Sequence, residues 1–179
     1  MYDKLNIFLI GPMGSGKTSV GRSLARQLGL RFFDSDAEIE QRTGVDIPYI
    51  FEKEGENGFR TREKTIIAEI VQQKGLVLAT GGGAVIDEES RQKLSANGVV
   101  IYLRASLDQQ LQRTKHADNR PFLMNDAPRK VLQRLMPARE PLYEEMADVL
   151  VDTDGRAVKT VVTSVLNILM ARDLIPLQK

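Results

Sequence analysis

One glycine-rich segment near the start of the chain constrains the fold more than any other feature of the sequence. The apolar run LNIFLI (5–10) precedes GPMGSGKTSV, which matches the pattern G-x-x-x-x-G-K-[ST] at Gly11, Gly16, Lys17 and Thr18. Apolar residues then recur at every fourth position, as they do on one face of a helix. A strand, a glycine-rich turn and a helix in this order form a concave site of backbone N–H groups that binds phosphate. The segment therefore predicts an α/β fold whose first loop binds a nucleotide.

Each residue type in this loop supplies a part of phosphate binding. Gly14 and the two motif glycines let the backbone curl, and a helix that begins near Gly16 adds the positive end of its dipole. Lys17 provides a point charge for the β- and γ-phosphates, and Thr18 provides a hydroxyl for Mg²⁺. The alternative is a glycine-rich turn that matches by chance, which the flanking strand and helix patterns disfavour.

The loop alone does not identify a reaction, because GTPases, motor ATPases and small-molecule kinases all contain one. The chain has no N-K-x-D motif of the kind that GTPases use to recognise the base, and 179 residues leave little room for the added domains of a motor.

The rest of the chain repeats the alternation of strand and helix. Short apolar runs lie at 5–10, 30–34, 76–80, 98–104 and 148–153, and segments of helical periodicity lie between them. The runs mostly do not alternate with polar residues, as expected of strands that are buried on both faces. This order predicts one parallel sheet with helices on both sides.

Composition limits the possible partners. A net charge of +1 gives no reason to expect nucleic acid or a membrane surface. The chain has no cysteine, which excludes disulfides and thiolate metal sites, and it has no apolar stretch near the roughly 20 residues that span a bilayer. Because the N-terminus also lacks a signal-peptide pattern, we expect a single cytoplasmic domain covering residues 1–179.

Two insertions interrupt the alternation. Residues 35–60 are too long for a plain connection and are expected to form short helices, whereas about 113–127 is polar, contains NRPF and is a candidate lid. Both follow the C-terminal ends of strands, where open parallel sheets bind ligands.

Three consecutive glycines follow the third apolar run, in ATGGGAV (79–85). Successive glycines increase the backbone entropy lost on folding, so some feature must require them. Either the chain makes an unusual turn here or a ligand lies against bare backbone. The second interpretation predicts a substrate at this strand end.

Acidic residues follow the second run, in FFDSDAEI. If both lie at the strand exit, Asp34 and Asp36 share a side and can face one ligand or ion. A kinase needs one carboxylate to orient or deprotonate a hydroxyl and another to support the metal. The same letters also suit a helix N-cap with an acidic first turn, and the segment alone leaves both interpretations open.

Three arginines are candidates for the acceptor side, although most arginines are solvated surface charges. Arg60 follows an aromatic residue in the first insertion, so its guanidinium can lie in a pocket wall and bind a carboxylate. Arg139 lies in PAREPLYEE. Arg120 lies in the candidate lid and could close over a transferring phosphoryl group.

Six motifs together resemble shikimate kinases over essentially the whole chain. They are GPMGSGKTSVGR, FFDSD, GENGFR, LATGGGAV, NRPFL and REPLYEEMADV, in the order and spacing of that family. The resemblance implies the nucleoside monophosphate kinase fold, with a five-stranded parallel sheet in the order 2-3-1-4-5 flanked by helices. It also implies transfer of the γ-phosphate of ATP to the 3-hydroxyl of shikimate, a step towards chorismate and the aromatic amino acids.

The resemblance assigns residues to roles. Asp36 would orient or deprotonate the shikimate hydroxyl, Arg60 and Arg139 would bind its carboxylate, and Gly82 would present backbone to the ring. The metal would be held by Thr18 and, through water, by Asp34. Contacts to ATP would come from Gly14, Ser15, Gly16, Lys17, Thr18, Ser19, Arg120 and, at the adenine, Arg156.

Two other functions stay open from the sequence. A gluconate-type kinase of related fold would also phosphorylate a carboxylated polyol, although DSD, GFR and REPLYEE together favour shikimate. A non-catalytic nucleotide-dependent regulator is disfavoured by intact Lys17, Asp36 and Arg120. No self-complementary apolar stripe is evident outside the predicted core, so we expect a monomer.

Overall fold

The five apolar runs form the five strands of one parallel sheet. A computed structural model describes residues 5–114 and 127–175. The strands are β1 (Asn6–Ile10), β2 (Arg31–Asp34), β3 (Leu76–Ala79), β4 (Val99–Arg104) and β5 (Val149–Asp152). Their order is β2-β3-β1-β4-β5, and each neighbouring pair is parallel, which confirms the predicted topology.

Helices connect the strands and cover both faces of the sheet. They are α1 (Lys17–Leu28), α2 (Ser35–Thr43), α3 (Ile47–Ile70), α4 (Glu88–Asn97), α5 (Leu107–Thr114), α6 (Pro128–Met146) and α7 (Val158–Ala171), and a 3₁₀ turn covers Ala84–Ile86. On β1, Phe8 and Ile10 pack towards α3 and α6, whereas Ile7 and Leu9 pack towards α1 and α7. The two faces of the sheet thus bury alternate residues in two apolar cores, which explains why the strands read as uninterrupted apolar runs.

The first insertion forms α2 and the start of α3, as predicted. The Asp34 side chain caps α2, and the Asp46 side chain accepts a hydrogen bond from the Tyr49 amide at the start of α3. Gly55 has φ 69° and ψ −175° inside α3, so the residues before it form a short helix that is kinked relative to the rest. The insertion therefore folds over the C-terminal ends of β2 and β3.

The candidate lid, about 113–127, lies almost entirely outside the described residues, as does Arg120. Across the described residues, no helix combines the length and apolar character needed to cross a membrane.

Candidate active site

The phosphate-binding loop lies between β1 and α1 and is closed by contacts within its own sequence. Gly16 caps α1 with φ 91°, a left-handed conformation that favours glycine. The Lys17 ammonium is buried and donates to the carbonyl oxygens of Gly11 and Pro12, at 2.8 Å each. The buried Ser15 Oγ has no hydrogen-bond partner within the described part of the chain. A lysine charge and an unsatisfied hydroxyl inside a glycine loop suit an anion with several acceptor oxygens.

Asp34 joins this loop to the acceptor side. Its Oδ2 accepts a hydrogen bond of 2.6 Å from Thr18 Oγ1, while Oδ1 accepts from the backbone amides of Asp36 and Ala37. The helix-cap interpretation is therefore correct for Asp34, and the same carboxylate also faces the loop. Asp36 lies in the first turn of α2, so the expectation that the two carboxylates share a side of a strand is wrong. The helix turn brings them together instead.

A cavity of about 290 Å³ opens beside the loop at the C-terminal edge of the sheet. Its walls come from the loop, β2, α2, α3, the glycine triplet and α6. The lining includes six of the residues selected from the sequence: Thr18, Asp34, Asp36, Arg60, Gly82 and Arg139. Residues far apart in the chain thus meet around one space that could hold a small polar molecule.

Arg60 is held in the cavity wall by an ion pair that sequence reasoning missed. Its Nη1 donates to Glu63 Oε2 at 2.6 Å, and its guanidinium lies 5.2 Å from the centre of the Phe59 ring. Glu63 is only 2% exposed, and burial raises the pKa of its carboxyl while the Arg60 charge opposes that rise. Glu63 lies in helical register with buried Phe59 and Ile67, so a carboxylate at a core position was the available signal.

Arg139 places a second guanidinium in the same cavity. It lies on α6 and is 3% exposed. Burial lowers the pKa of Arg139, and the charge of Arg60 lowers it further. A buried guanidinium whose charge is disfavoured by burial and by a second guanidinium creates a site that an anionic ligand would stabilise.

The glycine triplet has a different explanation from the predicted one at two of its three positions. A Cβ on Gly81 would overlap Glu63 Oε1, and a Cβ on Gly83 would overlap the Arg60 guanidinium. A Cβ on Gly82 would meet only ordinary contacts, the nearest being the Met13 amide nitrogen at 3.4 Å. Gly81 and Gly83 therefore make room for the ion pair of α3. A ligand remains the candidate reason only at Gly82.

The other predicted residues within the described ranges are not part of the cavity lining. Arg156 follows β5 and donates to the Asp152 carbonyl and to Ser164 Oγ, and exposed Ser19 lies on α1.

Sequence reasoning missed Arg113, the penultimate residue of α5. Its guanidinium donates to the Gly14 carbonyl at 3.0 Å and to the Thr153 hydroxyl and carbonyl. Arg113 thereby ties the phosphate-binding loop to the end of β5.

Comparison with known proteins agrees with this geometry. A sequence model of the shikimate kinase family matches residues 13–170. A shikimate kinase of Photobacterium profundum is 51% identical over 172 residues, which cover 96% of this chain and 98% of the relative. The structure of a shikimate kinase from Acinetobacter baumannii in complex with shikimate superposes with a TM-score of 0.94, at 46% identity and 97% coverage of both chains.

A gluconokinase from Sinorhizobium meliloti shares the fold, with a TM-score of 0.66, but only 20% of the sequence, over 97% of each chain. Fold alone therefore does not separate the two kinds of kinase, whereas sequence identity does. On the family match and the near full-length identity, this chain belongs to the shikimate kinase family.

Proposed function

We propose that this chain transfers the γ-phosphate of ATP to the 3-hydroxyl of shikimate, giving shikimate 3-phosphate and ADP. The observation that carries the proposal is one cavity lined both by the guanidinium groups of Arg60 and Arg139 and by Thr18 and Asp34, which adjoin the phosphate-binding loop. An acceptor with a carboxylate at one end and a hydroxyl at the other fits that arrangement of charge. Shikimate is such a molecule, and it is present in the related Acinetobacter structure.

On the acceptor side, the carboxylate of shikimate pairs with Arg60 and Arg139 through charge-assisted hydrogen bonds. Gly82 offers backbone without a side chain, so the ring can approach the end of β3. Asp36 accepts a hydrogen bond from the 3-hydroxyl and fixes the direction of its oxygen. Most of the rate enhancement then comes from positioning and electrostatics.

On the nucleotide side, the loop residues Gly14, Ser15 and Gly16 bind the phosphates, and Lys17 places its charge near the β- and γ-phosphates. Ser19 and Arg156 contact the rest of the nucleotide. Arg120 closes from the lid and stabilises the charge of the transferring group. During transfer the hydroxyl oxygen bonds to the γ-phosphorus, the bond to the β,γ-bridging oxygen breaks, and Asp36 accepts the hydroxyl proton.

The residues present also fit a magnesium ion. Thr18 and Asp34 are oxygen donors 2.6 Å apart, and no cluster of three or more metal-ligating side chains occurs in the described ranges. Mg²⁺ is usually coordinated by one or two protein oxygens together with phosphates and water, and here it would neutralise phosphate charge.

We also propose that the protein acts as a monomer, because no assigned role requires a residue from a second subunit.

The proposal is tested by measuring ADP release from ATP and Mg²⁺ with no acceptor, with shikimate and with gluconate. We expect strong stimulation by shikimate alone. Equal stimulation by gluconate would favour the gluconate-type kinase. Slow release that neither acceptor changes would contradict a kinase function and favour a regulatory one.

A further inference from the structure

Two tyrosines are stacked behind the glycine triplet. Tyr102 lies on β4 and Tyr143 on α6, both are fully buried, and their ring centres are 5.1 Å apart at an interplanar angle of 28°. Their hydroxyl groups have different environments. Tyr143 donates a hydrogen bond to the Gly82 carbonyl, whereas the Tyr102 hydroxyl has no partner within the described residues. Burial raises the pKa of Tyr102 to about 12, so both rings are neutral near pH 7.

The bond from Tyr143 is the tertiary contact of the triplet's carbonyl groups, and the Gly81 amide separately donates to Ser35 Oγ. The Gly81 carbonyl accepts from the Ala84 amide and the Gly83 carbonyl from the Ile86 amide, both within the following 3₁₀ turn. The Gly82 carbonyl instead accepts from a side chain of α6, 61 positions along the chain. Because a peptide unit is planar and trans, holding this carbonyl towards α6 points the next N–H, that of Gly83, in the opposite direction. The Tyr143 hydroxyl therefore sets the orientation of one peptide plane at the cavity edge.

Arg139 lies near the same hydroxyl. Tyr143 follows Arg139 by one helical turn, and the guanidinium opposes the effect of burial on the pKa of the Tyr143 hydroxyl. Arg139 Nη1 would lie 3.7 Å from a Cβ placed on Gly82, so guanidinium, hydroxyl and triplet backbone form one connected group. Tyr143 itself does not line the cavity.

We propose that Tyr143 is a positioning residue for acceptor recognition, which orients the Gly82 peptide and the Arg139 guanidinium relative to each other. This role rests on the proposed function, because it assigns both groups to the acceptor. It also explains how one helix can align a side chain of α6 with the backbone that follows β3. Tyr143 bonds to the triplet and not to the phosphate-binding loop, although Gly11 and Met13 of that loop lie beside Gly82. The effect of Tyr143 should therefore fall mainly on the acceptor.

The chain provides a matched pair of variants for the test, Tyr143→Phe and Tyr102→Phe. Each removes one buried hydroxyl from the same ring stack, but only the first removes a hydrogen bond. The measurements are kcat, the KM for shikimate and the KM for ATP, together with the thermal unfolding midpoint. We expect Tyr143→Phe to raise the KM for shikimate about tenfold, the effect of losing about one net hydrogen bond, and to leave the KM for ATP within about twofold. Tyr102→Phe should change neither KM.

Three results would overturn the positioning role: an unchanged KM for shikimate in Tyr143→Phe, an equal rise in both KM values, or the same rise in Tyr102→Phe. A lower unfolding midpoint alone would not produce the predicted result, because general destabilisation would not raise the KM for shikimate while leaving the KM for ATP unchanged. The proposed function is judged separately, by whether shikimate stimulates ADP release by the wild-type protein. The positioning role is judged by the KM for shikimate of the variant divided by that of the wild type.

Discussion

The phosphate-binding loop and the acceptor cavity lie side by side, yet they are built in different ways. In the loop, Lys17 bonds to carbonyls five and six residues earlier, and the site consists largely of backbone. In the cavity, the groups that would meet the acceptor come from β2, α2, α3, the triplet and α6. The loop is thus specified by a short continuous sequence, whereas the cavity depends on the packing of the whole domain.

The two regions also differ in how charge is held. The loop contains one ammonium group bound to its own carbonyls. The cavity contains two guanidinium groups and four carboxylates, of which Glu63 is buried and pairs with Arg60. Removal of one member of a buried charged network leaves another member without compensation, so effects there should spread to neighbouring residues. Variants in the two regions should accordingly change different kinetic constants.

The largest effect is expected at the loop. Lys17→Ala removes the charge that we propose binds the β- and γ-phosphates, and it should lower the rate of ADP release at least about 1000-fold. Shikimate affinity, measured by calorimetric titration, should stay near the wild-type value because Lys17 is not part of the cavity lining. An equally large loss of shikimate binding would show that the two regions are not separable.

The second-largest effect is expected at Asp36. Asp36→Asn keeps the shape of the side chain but removes the proton acceptor, so kcat should fall about 100-fold or more with a small change in the KM for shikimate. Circular dichroism should show an unchanged fold. Near-wild-type turnover of the variant would refute the orienting role.

A smaller effect, and one confined to binding, is expected at Arg60. Arg60→Ala should raise the KM for shikimate about 30-fold, because it removes a carboxylate partner and leaves Glu63 buried without its cation. Arg62→Ala provides the control on the same helix, since Arg62 pairs with Glu54 at the surface. If both variants raised the KM alike, general loosening of α3 would explain the result better than substrate contact.

The smallest effect is expected on stability. Burial raises the pKa of Glu63 in the folded protein above the ordinary value of 4.5, so folding favours the protonated form. The contribution of Glu63 to stability is therefore fully present below about pH 4.5 and is lost as the pH rises through the folded-state pKa. Glu63→Gln cannot ionise. The free energy of unfolding of the wild type relative to this variant, measured in urea, should fall between pH 4 and pH 7, and a pH-independent difference would contradict the raised pKa.

The difference between the regions also decides what could be predicted from the sequence. The loop is recognised from consecutive residues, and the strands from apolar runs, which in β1, β3 and β4 are buried on both faces. Glu63 and Tyr143 were missed, because their importance depends on neighbours that only the folded chain supplies. Tyr143 lies 61 positions from the carbonyl that it holds, and Arg113 lies 99 positions from Gly14.

The glycine triplet illustrates the same limit. The sequence indicated correctly that bare backbone is needed after β3, but it did not distinguish a ligand from the protein's own side chains. Gly81 and Gly83 accommodate Glu63 and Arg60, which come from a helix earlier in the chain. At Gly82, we still propose that the substrate is the reason why glycine is required.

The central claim is that the cavity recognises the carboxylate of the acceptor with two guanidinium groups, that of buried Arg139 and that of half-buried Arg60. The most direct measurement compares initial rates of ADP release with shikimate and with its methyl ester, each titrated at saturating ATP and Mg²⁺. The account predicts a KM for the ester at least about 30-fold higher, because the ester offers Arg60 and Arg139 no negative charge. Equal KM values for the acid and the ester would contradict it.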